Sequence, residues 1–159
     1  MLRKRSAQPS PCAHHVTSSR GPLAGVTLLE LLIVVALCSV LAVIAVPAYE
    51  QGLLKARRSD AAAGLLDAAM RQEQHLLSTS VYATDMRELG YASSPAPTEH
   101  GYYLLRGDTC PGESIDTCYR LVATPVEAGS QAKDLRCTAF FLDSRGRRTA
   151  QGSAPQDCW

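Results

Sequence analysis

Glu30 is the residue whose chemistry is most out of place in this sequence. It is the one charged residue in the apolar run 26–49, VTLLELLIVVALCSVLAVIAVPAY. A carboxylate in such a setting costs about 2.5–3.5 kcal/mol on insertion scales, and a plain membrane anchor gains nothing from it. The cost is offset if the carboxylate meets a fixed cation. A cut after Gly25 would supply one, the new α-amino group of Val26, which lies one helical turn before Glu30 and at nearly the same depth.

Other chemistry-bearing residues are sparser. Cys12 lies near the N-terminus and Cys38 inside the apolar run, whereas Cys110, Cys118, Cys137 and Cys158 are confined to the last third. An even set beyond a membrane signal points to disulfides in an oxidising compartment. Four cysteines allow three pairings, and sequence alone does not choose among them. No two cysteines stand at the two-residue gap of the usual zinc knuckle, so no metal is expected. The pair His14-His15 has no further ligand nearby, and His75 and His100 each read as a surface histidine rather than a base. No phosphate-cradling glycine loop and no nucleophile–base signature occurs, so neither an enzyme nor a cofactor is expected. Arg145, Arg147 and Arg148 form a small basic cluster that could touch phosphates. Three arginines on a turn are more often a solvated sheet edge, and nucleic acid is not the expected partner.

These residues need elements to hold them. Of 16 basic and 15 acidic residues, four basic ones (Arg3, Lys4, Arg5 and Arg20) and no acid lie in residues 1–25. That leaves 12 against 15, a net charge of −3, so the basic tip reads as a membrane-orientation signal and not as a nucleic-acid surface. Residues 1–24 are polar and aperiodic. Residues 26–49 are long enough to span a bilayer as a helix, for which about 20 residues suffice. The helix is predicted to run on to 79 with an amphipathic pattern. Leu54, Ala61, Leu65, Ala68 and Leu76 form an apolar stripe that Leu66, Ala69 and Leu77 widen, while Arg58, Asp60, Asp67, Arg71 and Gln74 take the other side. Pro47 lacks an N–H and predicts a kink. Residues 80–100 read as a turn-rich loop. Strands are predicted at 102–106, 119–124 and 137–143, with a short fourth at 147–150. The fold class is therefore α+β: one long N-terminal helix packed on a small antiparallel sheet, because each supplies the other's missing apolar cover.

Two other export signals fit less well. An ordinary signal peptide has an apolar core of about 7–15 residues, shorter than this one, and Val46-Pro47-Ala48 is only a loose small-x-small site. In a lipoprotein reading of Val35-Ala36-Leu37-Cys38, bulky Leu37 occupies the place of a small residue. The segment Gly25-Val26-Thr27-Leu28-Leu29-Glu30-Leu31, behind a basic leader and ahead of a long apolar helix with Pro47 in it, instead resembles the class III signal of type IV pilins and pseudopilins. The resemblance extends through Ala45–Tyr49, Ala61–Glu73, Val81–Ala83 and Leu89–Tyr91. It continues through Tyr119–Pro125, Leu142–Gly146 and the Cys158-Trp159 tail, segments similar to PilE-type minor pilins of Gram-negative bacteria.

That resemblance implies cleavage between Gly25 and Val26 by a prepilin peptidase, N-methylation of Val26, and assembly in which Glu30 meets a neighbour's N-terminus. Val26 stands where the family usually has phenylalanine, which implies altered processing efficiency and the same fate. The implied organisation is a cleaved leader (1–25), a transmembrane and filament-core half-helix (26–49) and a periplasmic or surface domain (50–159). The implied partners are other pilin subunits, the peptidase and the inner-membrane assembly machinery. The implied location is the inner membrane before assembly and a surface pilus after it, with roles in adhesion, twitching motility or DNA uptake. A type II secretion pseudopilin and a DNA-receptor minor pilin are the alternatives. Local closure, together with the tied C-terminal loop of pilins, favours Cys110–Cys118 and Cys137–Cys158, with Cys38 left as a free thiol.

Overall fold

The computed structural model of the protein describes residues 25–159. The expected leader, with its four basic residues, Cys12, His14 and His15, lies outside the described residues apart from Gly25. Gly25 to Thr27 are coil, and helix α1 then runs from Leu28 to Thr79 with Pro47 inside it. The chain divides into two compact units, one ending at Leu41 and the other spanning Ala42–Trp159.

In the first unit every described side chain is exposed. Helix α1 contains an 18-residue window of mean hydropathy 2.9 with none of it buried, so it is long and apolar enough to cross a membrane. β-branched residues are plentiful in this stretch. The helix forms regardless, because a helix satisfies its own backbone hydrogen bonds without neighbours.

In the second unit five strands form one antiparallel sheet in sequence order: β1 (Ala96–Pro97), β2 (Tyr103–Thr109), β3 (Tyr119–Pro125), β4 (Ala139–Asp143) and β5 (Arg148–Gln151). Alternation along the strands divides the faces. Tyr103, Leu105, Tyr119, Leu121, Ala123, Phe140 and Leu142 are buried and cluster with Ala61, Leu65 and Ala68 of α1. The opposite face carries a row that crosses three strands in register, Arg106 to Val122 to Phe141. Burying a leucine or phenylalanine side chain stabilises by about 1.5–3 kcal/mol, so this two-layer core dominates the stability of the unit.

The helix face departs from its sequence pattern in two ways. Leu66 and Leu77 do not widen the buried stripe; they are exposed, since the stripe facing the sheet is only wide enough for Ala61, Leu65, Ala68 and Gln72. Arg58 and Asp60 do not face solvent either; both are buried because partners from distant loops reach them. The loop after the helix is also more ordered than its turn-rich composition suggests. It supplies β1, and the Gln72 amide donates to Ala83 O at 2.5 Å while accepting from Ala83 N at 2.9 Å, which pins the loop to the helix. The loop then lies directly on β2 at Gly107, where an added Cβ would sit 2.6 Å from Thr84 O. Strand β4 starts at Ala139 rather than Cys137, since the Cys137 amide is bonded in a turn to Asp134 O.

Candidate functional site

The N-terminal site is built by the start of α1. Thr27 Oγ1 accepts the Glu30 amide at 3.2 Å, and Leu31 N donates to Thr27 O at 3.1 Å. Thr27 is thus the N-cap and Glu30 the third helical residue, the threonine hydroxyl satisfying one orphan amide of the first turn. A carboxylate there also faces the positive end of the helix dipole. The threonine–glutamate spacing is a signal that a reading of Glu30 through charge alone passes over. Gly25 and Val26 lie in the coil before the cap, and Glu30 and Cys38 are exposed on the helix.

The cysteines of the second unit form two closed loops. Cys110 is bonded to Cys118 with Cα atoms 5.5 Å apart, and Cys137 to Cys158 with Cα atoms 5.7 Å apart. The first closes the connection between β2 and β3, and the second ties the tail to the segment leading into β4. Cys38 is a free cysteine.

Where that tied segment meets α1, the structure places a pair that sequence reasoning missed. Arg58 Nε donates to Asp134 Oδ2 at 2.7 Å and Nη2 to Oδ1 at 2.9 Å, with the side chains 8% and 2% exposed. Gln131 Nε2 donates to Leu54 O at 3.0 Å and to Asp134 Oδ2 at 3.2 Å, and Arg57 Nη1 donates to Ser130 Oγ at 2.6 Å. No local pattern marks this cluster, because its two halves, 54–58 and 130–134, stand more than 70 positions apart.

The remaining charged groups sit mostly in pairs. At the turn after β4, Arg145 forks onto Glu113 at 2.6 and 2.9 Å, and Arg147 reaches Asp143 at 2.6 Å. Arg148, the third of that cluster, lies over the Trp159 ring at 5.4 Å instead. Arg120 pairs with Asp108 across β2 and β3. Arg106, on the outer face of the sheet, has no carboxylate partner among the described residues. Farther along α1, Asp67 accepts from Tyr91 Oη at 2.7 Å and from Arg71 Nε at 2.8 Å. The Tyr91 bond, with Arg71, holds that carboxyl below its ordinary value, while burial and Asp67 push the Tyr91 phenol up.

His75 is half-buried with Nε2 3.9 Å from Glu88, and exposed His100 has Nδ1 3.1 Å from buried Asp60. Asp60 also accepts from Thr98 Oγ1 at 2.5 Å. His100 thereby ties the loop after α1 to the helix, whereas His75 only lies near Glu88.

The sequence model of one family matches residues 47–141, and its description is "Type IV minor pilin ComP, DNA uptake sequence receptor". The chain belongs to this type IV minor pilin family. Its long helix and five-stranded antiparallel sheet go with a family that is structural rather than enzymatic. Among solved structures it is similar to a type IV pilin from Shewanella oneidensis, at 23% identity, with 67% of this chain and 97% of that chain covered and a TM-score of 0.43. No curated protein matches.

Proposed function

We propose that this minor pilin is cut between Gly25 and Val26, methylated at Val26 and drawn from the inner membrane into a surface filament through residues 26–49. The observation that carries the reading is Glu30, an exposed carboxylate in a helix whose apolar start has no cover among the described residues. Its cost is recovered when it meets the α-amino group of a neighbouring subunit. The cap at Thr27 supports the cleavage step as well, since it leaves the Gly25–Val26 bond in coil, where a peptidase can hold it extended. On this reading residues 50–159 face the periplasm and then the filament surface, and the partners are other pilins, the prepilin peptidase and the assembly machinery.

The test separates charge from capping. Glutamine caps as glutamate does but carries no charge. Both Glu30→Gln and Glu30→Ala are expected to insert normally and to be lost from sheared filaments. Normal incorporation of Glu30→Gln would remove the charge as the reason for Glu30. Intact mass of membrane-extracted protein is expected to give a methylated chain beginning at Val26; a start after Ala48 would mean an ordinary signal peptide.

The family description favours a second role, contact with DNA. The side chains suited to it are Arg106, Arg120, Arg145 and Arg147, on the outer sheet face and the adjoining turn. Arg120 and Arg145 hold exposed or half-exposed carboxylates that phosphate can displace, and Arg147, paired with the buried Asp143, still exposes its own guanidinium. Binding of duplex DNA by the full chain is expected to weaken with salt. Arg145→Ala with Arg147→Ala is expected to lower the salt slope by about 1 for each phosphate that is no longer neutralised. Absence of duplex binding at low salt would sink this role.

A further inference from the structure

Immediately beyond the apolar run, α1 carries a basic surface that neither cleavage, assembly nor the outer sheet face uses. Two shallow clefts flank the helix at Gln51, of about 600 and 410 Å³. Lys55 and Trp159 line one, and Arg57 and Lys133 line the other. The guanidinium of Arg148 lies over Trp159 at the edge of the first. Arg58 and Arg136, also in this region, are matched by Asp134 and Asp157. That leaves Lys55, Arg57, Lys133 and Arg148 without a carboxylate partner among the described residues, against Glu50 in the lining of these two clefts and Glu99 on the far side of Arg57. The base is therefore positive, whereas the described chain as a whole has 12 basic and 15 acidic residues.

The same region exposes apolar side chains. Leu135, between Lys133 and Arg136, is 70% exposed, Leu53 is 37% and Trp159 is 37%. Tyr49, the last residue of the apolar run, is 72% exposed. Lysines and arginines beside protruding leucines, with tyrosine and tryptophan among them, suit the headgroup layer of a bilayer. The depth agrees: Lys55 lies six residues past Tyr49, about 9 Å along a helix rising 1.5 Å per residue.

We propose that this base is a docking surface for anionic phospholipid headgroups, on which the domain rests while the subunit waits in the membrane. The proposal rests on the reading of residues 26–49 as a membrane span. Basic side chains bind the headgroup phosphates while Leu53 and Leu135 enter the boundary of the acyl region. Docking fixes how the domain stands on the bilayer, and it must be released when the subunit leaves for a filament.

Trp159 is the protein's one tryptophan and lies within the surface, so it reports docking directly. The full chain is reconstituted into vesicles of phosphatidylcholine, or of phosphatidylcholine and phosphatidylglycerol in equal parts, each with a headgroup-attached spin label that quenches tryptophan. Flotation with both kinds of vesicle reports the span. Strong quenching is expected only in the anionic vesicles and is expected to fade at high salt. Lys55→Gln with Lys133→Gln is expected to lower the ratio of docked to undocked protein by about fivefold per residue, and Lys55→Arg with Lys133→Arg to restore it. Equal quenching in both vesicles, or quenching indifferent to the glutamine pair, overturns the docking. So does quenching that vanishes when the protein is diluted in the bilayer, which would mean a second copy. A lipid-free response of Trp159 to duplex DNA, abolished in the glutamine pair, also overturns it and makes the base a nucleic-acid surface. Failure to float sinks the membrane span and docking together, whereas flotation without quenching sinks docking alone.

Discussion

Replacing Arg58 by methionine tests the joint between α1 and the disulfide-tied segment. The substitution removes two guanidinium bonds from a carboxylate that is 2% exposed and leaves Asp134 only the Gln131 amide at 3.2 Å. Breaking a buried pair from one side costs about 3–5 kcal/mol, because the remaining charge is stranded without water. It also removes the bond from Arg58 Nη1 to Asp157 O. At about 4 °C per kcal/mol for a domain of this size, the melting temperature is expected to fall by about 12–20 °C. The assay is thermal unfolding of the full chain in detergent, followed by near-ultraviolet circular dichroism and Trp159 fluorescence. Arg58→Met with Asp134→Leu removes both charges and is expected to recover most of the loss, since apolar replacement of an entire buried pair is often neutral or stabilising. A loss below about 1 kcal/mol for Arg58→Met, or a double variant no better than the single one, would refute the reasoning.

Tyr91 and Asp67 make stability depend on pH at both ends. The carboxyl titrates below its ordinary 3.8, so its contribution is present above that value and is lost as pH falls through the lower folded value. The phenol titrates above 10.0, so its contribution is present below that and is lost as pH rises past it. Tyr91→Phe is expected to flatten the alkaline limb and to move the Asp67 midpoint up in an NMR titration. Removing Cys137–Cys158 by paired alanines is expected to cost about 3 kcal/mol against about 2.5 for Cys110–Cys118, because the loop it closes is longer; urea unfolding of the two variants reads the order. Gly107→Ala is expected to cost about 1–3 kcal/mol and to increase amide exchange around Thr84, whose carbonyl occupies the space of the new methyl group.

Periodicity makes the helix legible, along with the four longer strands and the alanine–leucine stripe that meets the sheet, because burial on one face leaves a repeat in the sequence. The two residues of β1 leave none: Ala96-Pro97 follows a run of Ser and Pro and is a strand only because β2 lies beside it. Arg58, Asp60 and Gln72 escape such a reading for a related reason. Their polarity argues for solvent, whereas Asp134, Thr98 with His100, and Ala83 come from remote positions to satisfy them inside. Of the candidate site, Glu30 stands out because an acid in an apolar run is costly whatever surrounds it. The fate of Arg145, Arg147 and Arg148 is not legible, since nothing in their spacing distinguishes a free arginine from one held by Glu113 or Asp143 or laid over Trp159.

The uncovered first part of α1 divides the genetics of this protein. Its described side chains through Leu41 are all exposed, so a substitution there is expected to leave a melting curve of the purified chain unmoved. On the proposed route of assembly, its phenotype emerges only in company, as a subunit that is made, folded and oxidised yet missing from fibres. Changes around Tyr103, Phe140 or Cys137 act in the opposite order, lowering abundance before assembly is ever attempted. A collection of variants scored by both protein level and fibre content is therefore expected to separate into two classes along the chain, and the position where one class gives way to the other would mark where the subunit stops depending on its neighbours.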